Sequence, residues 1–239
     1  MTGPSVPPTR RSLLFLAAAL VIYGNVVTVI TRGELFTSGP AAVTISAVLI
    51  LGMMVWSRLW NLPLSELGIS RHGAWRGMAV GLAVAAAAAG AALLLLRSGL
   101  AASGPVQYAP FAAMSVADVL VRALIWLPIA VALPEELSFR GVLLAMLRRR
   151  YSDRQAVALS AVAFAGWHGL SVVHTVGQTS LGLSPASWAV GVLGGFGAVT
   201  LGGWIFAELR IRSGNLAASV ACHWAFNASV LVGLYMLQR

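Results

Sequence analysis

The sequence predicts an all-α fold, a polytopic helical bundle in a membrane with seven full spans plus a short motif-bearing helix from Pro134, eight in all. Two observations carry that expectation. Of 239 residues, 59% are hydrophobic and only 10% charged, with a mean hydropathy of +0.85, whereas a soluble domain carries roughly 25% charged residues. Seven acidic residues are too few to cover a water-facing surface, because ionised groups are costly to bury unpaired and normally lie outside. Secondly, apolar runs of spanning length, about 20 residues, recur along the chain and are separated by short polar stretches that hold the arginines. Residues 1–239 are thus filled by one membrane domain, with no room for a separate soluble one.

The first element follows a short proline-rich and basic lead, residues 1–12, and runs from Leu13 to Ile30. Thr9 to Leu14 resembles a twin-arginine export signal, but the run behind it exceeds a signal-peptide core and reads as a retained first span. Further runs lie at Ala41–Trp56, Gly77–Leu96, Ala117–Leu133, Ala156–Val173, Ala186–Phe206 and Asn215–Leu237. The stretch Leu137–Leu147 is too short to cross upright and ends in Arg148-Arg149-Arg150. Cytoplasmic loops collect the basic residues. With the N-terminus inside, the Ser57–Arg76 loop, the Arg148–Arg154 cluster and the Arg210–Arg212 turn all fall inside only if Leu137–Leu147 does not cross alone. The uncharged Thr175–Pro185 loop then falls outside.

Composition excludes other readings. All 16 basic residues are Arg and the formal net charge is +9, yet a nucleic-acid interface needs a polar chain with basic faces and interleaved aromatics; no nucleic-acid partner is expected, and the partner that composition implies is the lipid bilayer. The lone Cys222 has no disulfide partner and fits no metal spacing; it reads as a small packing residue. Gly191 and Gly195 have the four-residue spacing of close helix packing in lipid, and no strand precedes them as a phosphate loop would need. The Lys-free, Ala-rich composition points to a GC-rich bacterial genome and so to a bacterial cytoplasmic (inner) membrane.

Ionisable groups inside a membrane are expensive and mark function by default. Asp118 and Arg122, four apart, read as an internal pair, Glu208 belongs to a helix end with Arg210 and Arg212, and His174 lies at the outer end of its span. Three patterns remain. In Pro134-Glu135-Glu136-Leu137-Ser138-Phe139-Arg140-Gly141, proline suits a first helical turn and the carboxylates favour a helix N-terminus. Glu136 and Arg140, four apart, can neutralise one another, which leaves Glu135 over as a candidate general base. Phe164-Ala165-Gly166-Trp167-His168 places a histidine in mid-span. In His223-Trp224-Ala225-Phe226-Asn227, His223 and Asn227 share a helix face and could present two donors to a developing oxyanion.

Glu-Glu-x-x-x-Arg, Phe-x-x-x-His and His-x-x-x-Asn, in that order along a multi-span chain, resemble the CPBP family: the type II CAAX prenyl proteases and bacteriocin-processing intramembrane peptidases, with the eukaryotic Ras-converting enzyme among them. The resemblance covers Val119 to Tyr235. It implies an intramembrane endopeptidase acting on a peptide or membrane-protein substrate, with catalytic core helices over 115–237, in which Glu135 and His168 activate the attacking water, His223 and Asn227 stabilise the oxyanion, and Glu136, Arg140 and Phe164 support them. No cofactor is expected. The alternative is a zinc-dependent version of the same protease, with Glu135, His168 and His223 as ligands of Zn2+. The chain lacks Gly-x-Ser-x-Gly, His-Glu-x-x-His and Gly-x-Gly-Asp, the marks of other intramembrane proteases. Two further alternatives are a non-catalytic membrane partner of the bacteriocin-immunity type and a small transporter, although no inverted repeat relates the halves.

Overall fold

The computed structural model describes residues 7–31, 39–100 and 104–239, so the first six residues of the N-terminal lead lie outside the described residues. Among these residues all helices and no extended strands are found, apart from one bridge between Tyr108 and Thr179. The main elements are α1 (Arg10–Ile30), α2 (Gly39–Leu59), α3 (Ala74–Ser98), α4 (Val116–Arg148), α5 (Asp153–Trp167), α6 (Gly169–Gly177), α7 (Pro185–Ser213) and α8 (Leu216–Leu237). By length and composition six of the described helices can cross a membrane, and the count is seven if the bent pair of α5 and α6 forms one span.

Local chemistry sets the boundaries. Thr9 accepts the Ser12 N–H ahead of α1. Ser152 and Gln155 form a reciprocal capping box at the start of α5, satisfying amide donors that a helix start leaves free. α7 ends on Gly214, whose φ of 67° is open to glycine at little cost, and the Asn215 side chain accepts the Ala217 N–H to begin α8.

Hydrogen bonds staple the two ends of the bundle. At one end Arg149 ion-pairs Glu66 at 2.8 Å and donates to Trp60 O and Asn61 O, Arg150 reaches Pro8 O, and Arg210 donates to Glu66 O at 2.7 Å. The lead into α1, the α2–α3 loop, the α4–α5 turn and the end of α7 are thereby gathered together, with most of the arginines. At the other end the uncharged α6–α7 loop meets the α3–α4 connection through Ala109 N–H to Gln178 O and Ser180 N–H to Gln107 O, and Arg239 donates to Met114 O. The expected segregation of arginines to one end is present.

One expectation needs correction. No separate short helix begins near Pro134: Ala117–Leu133 and Leu137–Leu147 belong to the single 33-residue α4, and residues 134–147 are buried without exception against α1, α2, α5, α7 and α8. The segment is an inner strut of the bundle and not an edge feature. Two prolines that would ordinarily break it are accommodated by wider winding. Arg122–Ala132 and Leu137–Leu143 are π-helical, with Leu133 N–H reaching back five residues to Pro128 O. Proline has no N–H to complete such a ladder, and neighbours supply the missing donors. Trp224 Nε1 donates to Ala123 O, five residues before Pro128, at 2.8 Å. Ser46 Oγ donates to Ala130 O, four before Pro134, at 2.8 Å.

Small residues set the remaining contacts. Gly77, Gly81, Ala85 and Ala89, four apart and all buried, form the face of α3 that lies on α8; a Cβ at Gly81 would collide with Ala218 O. Methyl groups built on Gly191 and Gly195 would meet Val176 and Val172 of α6, so these glycines do serve packing. Cys222 is buried in the main apolar core. Asp118 is held first by its helix cap: its carboxylate accepts the Ser115 N–H at 2.8 Å and hydroxyl at 2.6 Å, because it stands three residues into α4, and the charge of Arg122 is a weaker neighbour.

Candidate active site

Four helices bring the three sequence patterns to one place. From α4, Glu136 and Arg140 face each other one turn apart, Nη1 to Oε1 at 2.9 Å, with neither side chain exposed. Arg140 also donates from Nη2 to Gly203 O of α7 at 3.0 Å, and its guanidinium lies 4.1 Å from the centre of the Phe164 ring. Desolvation of a lone guanidinium would be prohibitive; here carboxylate, carbonyl and ring face replace most of its water, with Nε left without a hydrogen bond among the described residues. The spacing that predicted the pair is met.

Glu136 Oε1 takes a second partner, His223 Nδ1 of α8, at 2.9 Å. His168, at the junction of α5 and α6, has its Nδ1 2.9 Å from Phe164 O. A backbone carbonyl only accepts, so that nitrogen carries the proton; the same holds for His223 Nδ1 against a carboxylate. Both rings therefore turn Nε2 inward. They turn it toward Glu135, whose Oε2 lies 3.5 Å from His168 Nε2 and 4.0 Å from His223 Nε2. The Glu135 side chain is 10% exposed and His168 20%, so the group is nearly dry but reachable, and Glu135 Oε2 makes no hydrogen bond within the described residues. Asn227, one turn beyond His223 on α8 and half-buried, makes no hydrogen bond there either, leaving its amide free for a ligand.

Aromatic rings wall the site. Phe164 touches both imidazoles, 4.5 Å from His168 and 5.8 Å from His223 between centroids, as well as the Arg140 guanidinium. Phe206 of α7 stacks on His223 at 4.8 Å.

His168 itself does not lie within a continuous span. α5 stops at Trp167 and α6 leaves at 49°, so the imidazole sits at a break. Phe206, Gly203 and Asn25, the last of which contacts both sides of the break, escape a reading confined to ionisable groups. Asn25 did leave a signal: it is the one carboxamide inside the otherwise apolar Leu13–Ile30 run.

Glu135, His168 and His223 are also the set that zinc would need. Ligands at 2.0–2.1 Å from zinc stand about 3.4 Å apart on a tetrahedron, and the 4.0 Å separation of Glu135 and His223 is wider. Among the described residues no three His, Cys, Asp or Glu side chains are gathered as metal ligands. The set as built does not fit the ion.

Comparison with known proteins agrees with the geometry. The family described as type II CAAX prenyl endopeptidase, Rce1-like, matches residues 117–229, a span that holds Glu135, Glu136, Arg140, Phe164, His168, His223 and Asn227. No curated protein and no solved structure gives a significant match.

Proposed function

We propose that this chain, whose residues 117–229 are an Rce1-like type II CAAX prenyl endopeptidase family domain, is a metal-independent intramembrane endopeptidase, with Glu135 and His168 as the proton-handling pair and His223 with Asn227 as the oxyanion site. The observation that carries this reading is the convergence of both inward-facing Nε2 atoms on Glu135 Oε2. A peptidase must deprotonate a water, stabilise a tetrahedral oxyanion and protonate the departing amine.

Water held between Glu135 and His168 loses a proton to this pair as its oxygen adds to the scissile carbonyl. The oxyanion that forms accepts the Asn227 amide N–H, and His223 Nε2–H when that ring carries both protons, its charge balanced by Glu136. The C–N bond then breaks as the stored proton passes to the leaving nitrogen. The products are a carboxylic acid and an amine, which separate as carboxylate and ammonium once the second water proton has also moved to the nitrogen. Glu136 and Arg140 touch no reacting atom in this scheme and hold His223 in place. The arginine-rich end is cytoplasmic by the positive-inside rule, which sets the N-terminus inside, in a bacterial inner membrane, and residues 115–237 form the catalytic core of a single membrane domain.

The test uses purified protein in lipid nanodiscs with two quenched fluorogenic peptides, one ending in a farnesylated CAAX sequence and the other the same peptide without the lipid. Wild type cleaves, and the pair reads out whether the prenyl group is required. Glu135→Gln lowers the rate by about 10²- to 10⁴-fold; cleavage by that variant at the wild-type rate would overturn the mechanism. A wild-type chain that cleaves neither peptide would favour a non-catalytic membrane partner.

A further inference from the structure

The break at His168 has a specific cause in a helix outside the matched domain. In an uninterrupted helix the Leu170 N–H would bond to Gly166 O, four residues back. Instead the Asn25 carboxamide of α1 stands between them: its Oδ1 accepts the Leu170 N–H at 2.8 Å, and its Nδ2 donates to Gly166 O at 2.9 Å. One side chain thus replaces both halves of a single backbone bond. A group inserted into the ladder is a recognised cause of a sharp kink, and the bend here is 49°. Glycine makes room for it, since a Cβ at Gly169 would lie 3.0 Å from Asn25 Oδ1. The residue at the apex, with φ −88° and ψ 8°, is His168.

We infer that Asn25 is a positioning residue for His168: it wedges open the α5–α6 span and so aims the imidazole at Glu135. The inference rests on the reading in which His168 handles the proton. It has an uncommon signature. With the wedge removed, Gly166 O and Leu170 N–H can bond to each other, so the span closes with only the Asn25 Nδ2 bond to Val21 O lost while the ring swings off line. Activity falls and stability does not.

The experiment compares wild type, Asn25→Ala, His168→Ala and the double variant in nanodiscs with the same two peptides, and records kcat, KM and thermal stability. Asn25→Ala, which vacates the gap, is expected to lower kcat about 100-fold, the scale of a misplacement near 1 Å, with KM and the melting temperature little changed. The double variant is expected to match His168→Ala alone. Asn25→Ala at the wild-type rate, or the same fold loss in both backgrounds, overturns the proposal; a purely structural role would act equally in both and lower the melting temperature. If Asn25→Ala does not assemble, Asn25→Ser carries the comparison, and failure of both to assemble assigns the residue to folding alone and overturns the proposal. His168→Ala at the wild-type rate instead sinks the reading of the site, and the role of Asn25 with it.

Discussion

Glu136 holds His223 across the bundle: Oε1 and Nδ1 are 2.9 Å apart although the residues stand 87 positions apart in the chain. The same oxygen binds Arg140, so one carboxylate both neutralises a buried cation and orients an imidazole.

These two duties can be separated. Glu136→Leu alone strands Arg140 in the core and is expected to cost about 3–5 kcal/mol of stability, read by unfolding in detergent. Glu136→Leu with Arg140→Leu removes both charges and is expected to recover most of that loss, because a well-packed apolar pair can replace a buried ion pair. Its cleavage rate stays low, on the order of 100-fold below wild type, because His223 has lost its tether. A double variant with wild-type kcat would show that His223 needs no orienting partner.

Asn227 tests the oxyanion assignment. Its amide has no partner to lose, so Asn227→Ala should leave the melting temperature unchanged. A donor that acts only in the transition state shows in kcat and not in KM, and the expected fall is about 10²- to 10³-fold. A rise in KM at constant kcat would assign Asn227 to substrate binding instead.

Metal dependence is decided by chelation. Peptide cleavage after prolonged dialysis against a strong chelator is expected to continue at the untreated rate. Loss of activity followed by recovery on adding zinc would show that Glu135, His168 and His223 close around an ion after all, and would replace the proposed chemistry.

If α5 and α6 together make one crossing, the seven spans put the two termini on opposite sides. A fluorescent protein fused before Arg10 is expected to fold in the cytoplasm, and alkaline phosphatase fused after Arg239 to be active outside. Both reporters on one side would mean that the bent α5–α6 pair re-enters without crossing.

The membrane class, the apolar runs and the clustering of arginines at one end were legible because composition and run length respond directly to the solvent. The Glu136–Arg140 pair was legible too, since a four-residue spacing is a contact on any helix. What could not be read locally was how α4 continues through Pro134: the donors that rescue its ladder, Ser46 and Trp224, come from 84 and 101 positions away. The break at His168 escaped for the same reason, because its cause sits in α1. At Asp118 the spacing to Arg122 gave only the lesser interaction, because the cap formed with Ser115 at the start of the helix is nearer.

The arginine ties have a consequence for how this chain can vary. Arg140, Arg149, Arg150, Arg210 and Arg239 all donate to backbone carbonyls of other segments, some while also engaging a carboxylate. A lysine in any of these places would keep the charge and hence the orienting signal for insertion, but its single ammonium lacks the planar fork that reaches several acceptors at once. Insertion and loop architecture are therefore independent demands that happen to fall on one residue type, and an all-lysine variant should thread the bilayer correctly yet leave its ends unlaced.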